Sequence, residues 1–214
     1  MEIRPNKHPL LRRFLSDVVA WHGFVRFLGM PSFQTNPDVP IDELYVPLAL
    51  ADTRLSPEDP SSSFWKLQDP IAALREHRRL IVLGDPGSGK STLVNWFAWY
   101  LAAGLDKPLP GGISDLLPLP VVLRDLRWER LGSFEDLLTE FLSRPIAAGL
   151  SQHKGLLTAY MNEGLVLLLV DGLDEVPIEA RRLVQSCLED AAKAFPNLYI
   201  LCTSRIVGYE DAPV

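Results

Sequence analysis

The chain has 214 residues, of which 47% are hydrophobic and 22% charged, and it carries a net charge of −6. That is enough chain for one well-cored α/β domain, and too acidic for a broad nucleic-acid footprint. No stretch approaches the ~18 apolar residues of a membrane span, and the first residues reach Arg12 and Arg13 without the apolar core of a secretory leader. His8, His22, His77 and His153 show no metal-ligand spacing, and Cys187 and Cys202 read as reduced core thiols. A cytoplasmic protein with no membrane partner is expected.

In chain order, residues 9–29 read as a helix: Leu11, Phe14, Leu15, Val18, Trp21, Val25 and Leu28 share one face, and Gly29 is its stop. Such a stripe usually packs on its own domain. Residues 30–43 are proline-rich and polar, which divides the chain into an N-terminal helix and linker over 1–43 and a main domain over 44–214. Leu44–Leu50 reads as a short strand, at an edge because of Pro47. A Ser/Pro/Asp-rich loop covers 52–63. Asp69 and Pro70 open a helix that runs to about His77, with Asp as N-cap and Pro at the first helical position.

Arg79–Leu83 is a short apolar run suited to a buried parallel strand, and Ser91–Ala103 has the spacing of a helix. After a break at Pro108–Ile113, Leu119–Arg124 is the next strand. Ser133 with Asp136 resembles a capping box for a helix to about 148, and Ser151 opens another that ends near Gly164. Leu165–Val170 is a strand, Pro177 starts a helix ending near Phe195, and Leu198–Thr203 is the last strand. Strands alternating with helices predict a parallel sheet with helices on both faces.

Between the strand at 79–83 and the helix at 91–103, residues Gly84-Asp85-Pro86-Gly87-Ser88-Gly89-Lys90-Ser91 match the phosphate-loop pattern G-x-x-x-x-G-K-[ST], followed by Thr92. By residue frequencies the pattern arises by chance in under roughly 1% of chains of this length, and its place between strand and helix lowers that further. Glycines let the backbone curl so that successive N–H groups point inward at phosphate oxygens, and the following helix adds the positive end of its dipole. Lys90 supplies a charge to the β- and γ-phosphates, and the Ser91 hydroxyl is placed to ligate Mg²⁺.

The run 165–170 ends in Asp171-Gly172-Leu173-Asp174-Glu175. It delivers Asp171 to the carboxyl end of the sheet, where ligands of open α/β sheets bind. There Asp171 can hold Mg²⁺ through water, opposite Ser91, while Asp174 and Glu175 can orient or deprotonate an attacking water. The last strand ends in Thr203-Ser204-Arg205. A polar side chain there can sense the γ-phosphate, and Arg205 can neutralise charge on the transferring phosphoryl group.

In this order and spacing, the phosphate loop, Leu167-Leu168-Leu169-Val170-Asp171-Gly172-Leu173-Asp174-Glu175-Val176 and Cys202-Thr203-Ser204-Arg205-Ile206-Val207-Gly208-Tyr209 resemble the signatures of the NACHT family. That family is a branch of the STAND signalling NTPases within the AAA+-like P-loop class. Its Asp-Gly-x-Asp-Glu form differs from relatives in which a catalytic acid directly follows the Mg²⁺ aspartate. The resemblance implies a three-layer P-loop NTPase fold in which Lys90 and Ser91 bind phosphate and Mg²⁺, and Asp171 completes the Mg²⁺ shell. Asp174 and Glu175 would support hydrolysis, with Arg205 as a sensor. Only nine residues follow Arg205, so a fifth core strand and the helical and winged-helix subdomains of the family are not expected here. The missing strand would leave a sheet edge for Leu44–Leu50 or a second molecule to cover.

The expectation is thus the core of a switch that binds ATP/ADP with Mg²⁺, self-associates in a larger signalling protein and answers to an unknown trigger and effector, plausibly in innate-immune or antiphage defence. GTP is less favoured because no Asn-Lys-x-Asp guanine-reading motif occurs. Two alternatives are an ATP-driven remodelling motor, with fast stimulated turnover, and a module that binds nucleotide only as structure.

Overall fold

In the computed structural model, which describes residues 4–26, 38–51, 67–104 and 113–206, helix α1 (Arg12–His22) buries Phe14, Leu15 and Val18, with Leu11 just ahead of it, and leaves Trp21 exposed. The expected continuation to residue 28 does not occur. Gly23 closes the helix through its N–H on the Val19 carbonyl (2.9 Å), and a Cβ at 23 would lie 2.6 Å from that same oxygen. Phe24–Arg26 instead forms strand β1, antiparallel to β2 (Asp38–Pro40). Leu28, Gly29, most of the expected linker and the loop 52–63 lie outside the described residues.

The expected strand over 44–50 is also replaced. Ile41–Leu44 makes one helical turn, α2, around the buried Ile41. The Tyr45 ring stacks on Trp96, with centroids 4.4 Å apart at 15°. Pro47 has no N–H for a ladder. Strand structure is confined to Leu50–Ala51 (β3), which pairs antiparallel with β4 (Leu67–Gln68) rather than joining the main sheet.

Helix α3 (Pro70–His77) starts as expected: Asp69 Oδ1 accepts from the N–H groups of Ile71 (2.6 Å) and Ala72 (3.4 Å). Then follow β5 (Arg79–Leu83), α4 (Lys90–Ala103), β6 (Leu117–Val122), α5 (Phe134–Leu142), α6 (Lys154–Asn162), β7 (Val166–Asp171), α7 (Ile178–Ala194) and β8 (Tyr199–Ser204). Ser133 caps α5 through the Asp136 N–H (3.2 Å). The helix ends at Leu142, short of 148, because Pro145 holds Arg144 in an extended conformation (ψ 150°).

β5, β8, β7 and β6 form one sheet in that order, all parallel. The fold is that of a P-loop NTPase. β7 is buried along its whole length, as a central strand covered on both faces must be. At the β6 edge, the Leu117 N–H bonds to the Leu165 carbonyl. Pro118 and Pro120, offset from it by odd steps, therefore turn their N–H-less backbone outward and blunt that edge. The strand order reverses direction after β6, so right-handed crossovers put α4 on one face and α5–α7 on the other.

α4 is apolar on nearly every side: Leu93, Val94, Phe97, Ala98, Leu101 and Ala102 are buried, and they share one core with Phe14, Leu15 and Val18 of α1. Where the two helices meet, the buried His22 donates through Nδ1 to Asn95 Oδ1 (2.7 Å), and burial lowers its pKa. Both cysteines are free and buried. Burial pushes the Cys187 thiol up to about 11 and Cys202 up to about 12. No helix among the described residues is long and apolar enough to cross a membrane.

Candidate functional site

The loop between β5 and α4 leaves the sheet still tied to it, with the Gly84 N–H bonded to the Ser204 carbonyl (3.3 Å). Its curl needs left-handed backbone at Gly87 (φ 77°) and Gly89 (φ 89°), the region that glycine enters without a Cβ penalty. The Ser88 N–H closes the turn on the Asp85 carbonyl (3.2 Å). Lys90, the first residue of α4, folds back into the curl. Its Nζ donates to the Gly84 carbonyl (2.6 Å), the Asp85 carbonyl (2.9 Å) and Ser88 Oγ (3.3 Å). From outside, Leu48 lies against Gly89, its Cδ2 3.5 Å from where a Cβ would stand.

Across from the loop, the last residue of β7 is Asp171, buried and held by two hydroxyls. Its Oδ1 accepts from Thr203 Oγ1 at 2.6 Å and from Ser91 Oγ at 3.2 Å. Thr203, fully buried on β8, also accepts from the Gly172 N–H (3.0 Å), so one hydroxyl fixes both the carboxylate and the backbone that follows it. Behind them, Cys202 is kept protonated by burial first, and then by the charges of Asp171 and Asp174.

The two acids of the turn after β7 have different partners. Both carboxylate oxygens of Asp174 are taken by Arg205, Oδ1 by its backbone N–H and Oδ2 by its Nε, each at 2.9 Å. Arg181 of α7 donates to the Asp174 carbonyl (3.1 Å) and holds the turn from below. Glu175 instead folds back over Gly172. Its Cδ and Oε2 lie 3.0 and 3.1 Å from where a Cβ at 172 would be, and Oε2 meets Arg124 Nη1 at 3.0 Å.

These groups enclose a cavity of about 260 Å³, lined by Pro86–Thr92 on one side and by Asp171, Gly172, Asp174, Glu175, Thr203 and Arg205 on the other. The structure thus gathers the residues singled out in the sequence, except that Gly84 and Asp85 offer carbonyls to Lys90 rather than wall to the cavity. Thr203 faces Asp171. Its place was signalled only by a hydroxyl residue at the end of an apolar strand. Arg124, two residues past the end of β6, carried no signal.

Among the described residues there is no cluster of three or more His, Cys, Asp or Glu side chains to hold a metal by themselves. Ser91 Oγ and Asp171 Oδ1, 3.2 Å apart, are hard oxygen donors at one end of the cavity. That small donor set suits Mg²⁺, which binds through one or two protein oxygens and completes its shell with phosphate and water.

Two comparisons bear on this arrangement. The family model of the NACHT domain matches residues 78–213, more than half of the chain. Among curated proteins, a tRNA modification GTPase MnmE of Rhizorhabdus wittichii is 39% identical over 59 residues, which is 28% of this chain and 13% of that protein. The chain is thus similar to a small part of that relative.

Proposed function

The chain belongs to the NACHT domain family, and from that premise we propose that its cavity binds ATP with Mg²⁺ and hydrolyses it slowly, as the nucleotide-sensing core of a conformational switch. The observation that carries this reading is the Lys90 ammonium, held inside the loop curl by three oxygens, on a residue that lines the same cavity as the Ser91–Asp171 pair. A terminal phosphate in the cavity would take over Lys90 and the loop N–H groups as donors. Ser91 and Asp171 would hold Mg²⁺, which when bound neutralises charge on the phosphate oxygens.

The roles of the two acids separate on geometry. Asp174 has both oxygens engaged by Arg205, so it acts on the arginine: it holds the guanidinium at the rim until phosphate charge competes for it. Among the described residues Glu175 is engaged through Oε2 alone, which leaves Oε1 for water. In the proposed step the water oxygen bonds the γ-phosphorus while its proton passes to Glu175, and the bond to the bridging oxygen breaks to leave the diphosphate. The glycine at 172 makes this possible. The space a side chain would fill is where the Glu175 carboxyl lies, so the acid four residues after Asp171 occupies the neighbourhood that an acid directly following it would.

Nucleotide state would then bias a resting form against one that self-associates, in a cytoplasmic signalling protein of innate-immune or antiphage type. Residues 44–214 form the switch core in this reading, with 1–43 as its lead-in. Calorimetry with ATP, ADP and GTP, with and without Mg²⁺, tests the ligand. Single-turnover hydrolysis and chromatographic size in each nucleotide state test the switch. Fast multiple turnover, stimulated by a protein or nucleic acid, would sink it in favour of a motor. Tight binding with no hydrolysis would favour a structural nucleotide. The likeness to part of a GTPase supports GTP as the second reading, and preference for GTP by calorimetry decides for it.

A further inference from the structure

Arg124 approaches the site from β6, the one strand of the four-stranded sheet that the nucleotide reading leaves unused. β6 pairs with β7 in a register that sets Val122 against Asp171, so both strands end level. Leu123, fully buried, anchors the turn Leu123–Asp125. From that turn Arg124 reaches across the end of β7 to Glu175, placing Nη1 3.0 Å from Oε2. Arg124 does not line the cavity, whereas Glu175 does. The guanidinium thus meets a carboxylate of the cavity wall without being part of that wall itself.

Glu175 is a flexible side chain near a chain reversal, and a carboxylate that orients water must be held within tight limits to be effective. Two features confine it here: the open space over Gly172 and the bond to Arg124. We propose that Arg124 is a positioning residue for hydrolysis: by holding Oε2, it keeps the Glu175 carboxylate folded over Gly172 and leaves Oε1 as the oxygen that meets the attacking water. The inference rests on the reading of Glu175 given above. Because the pair is largely exposed, 62% at Arg124 and 33% at Glu175, it adds little to stability. Its signature belongs in the rate.

The test is single-turnover ATP hydrolysis with protein in excess, alongside ATP affinity and thermal melting. Arg124→Ala should slow the chemical step about tenfold, with affinity and melting temperature unchanged. Arg124→Lys should recover part of the rate, since an ammonium can still reach Oε2 but without the planar fork. In a Glu175→Gln background, which is itself slow, Arg124→Ala should cost nothing further. The proposal is overturned by an unchanged or faster Arg124→Ala, by a loss of ATP affinity that accounts for the slowing, or by an equal loss in both backgrounds. A Glu175→Gln variant as fast as wild type, or a wild type with no hydrolysis, would instead remove the reading of Glu175 beneath it. A dead Glu175→Gln with a normal Arg124→Ala would remove only the role of Arg124.

Discussion

Thr203 Oγ1 lies 2.6 Å from Asp171 Oδ1, so a hydroxyl on β8 fixes the carboxylate that ends β7, and the same oxygen receives the Gly172 N–H. Thr203→Val keeps the shape and removes the hydroxyl, leaving a buried N–H without its acceptor. The expected cost is about 1–3 kcal/mol of stability, read from the midpoint of chemical denaturation, with weaker Mg²⁺-dependent nucleotide binding. Thr203→Ser retains the bonds and should stay close to wild type in both measurements.

Lys90→Ala removes the charge at the centre of the phosphate loop. A charge-assisted contact of about 1.5–3 kcal/mol is lost, which corresponds to roughly tenfold to a hundredfold weaker nucleotide binding. Calorimetry measures this directly, and an unchanged affinity would count against the phosphate-loop assignment.

Gly172→Ala tests the turn. The residue has φ +83° and a Cβ there would lie 3.0 Å from Glu175 Cδ. Left-handed backbone costs a non-glycine residue roughly 1–2 kcal/mol, and the methyl group pushes the carboxylate away. Denaturation should show the first effect. Hydrolysis should fall by more than the loss of folded protein explains, and a fully active Gly172→Ala would show that the Glu175 position is immaterial.

His22 makes stability depend on pH. Burial lowers its pKa in the folded protein, while the unfolded chain keeps the ordinary value of about 6.5. Below that value the unfolded state binds a proton that the folded state refuses, so stability falls as pH drops, by up to about 1.4 kcal/mol per pH unit until His22 itself protonates. Urea unfolding at pH 7.5 and 5.5 should show the loss, and a His22→Gln variant should lose less over the same interval.

What the sequence made legible were features with local causes. Asp69 and Pro70 begin α3, and the five residues of β5 lie where their apolar run put them, because capping and burial there need only neighbours along the chain. Two expectations failed where distant atoms decide. The apolar stripe of α1 runs past residue 22, but Gly23 packs against Trp99 and the chain turns into β1. Leu44–Leu50 is an apolar run that reads as a short strand, yet its course is set by Tyr45 stacking on Trp96, far along the chain. In the site, Lys90, Ser91 and Asp171 were legible because their spacing is itself the motif. The contacts of Thr203 and Arg124 were not, since they exist only once the sheet order sets β8 and β6 on either side of β7.

The Leu48 side chain resting on Gly89, with the Tyr45–Trp96 stack beside it, sets a boundary for anyone moving this module between proteins. Residues 78–213 carry the motifs, but the phosphate loop and α4 are propped from positions 11–18 and 41–48. A transplant cut at residue 78 would strip Asn95 of His22 and Trp96 of Tyr45, and leave the loop without its outer support. A transplant that begins at Arg4 would take its own scaffolding along.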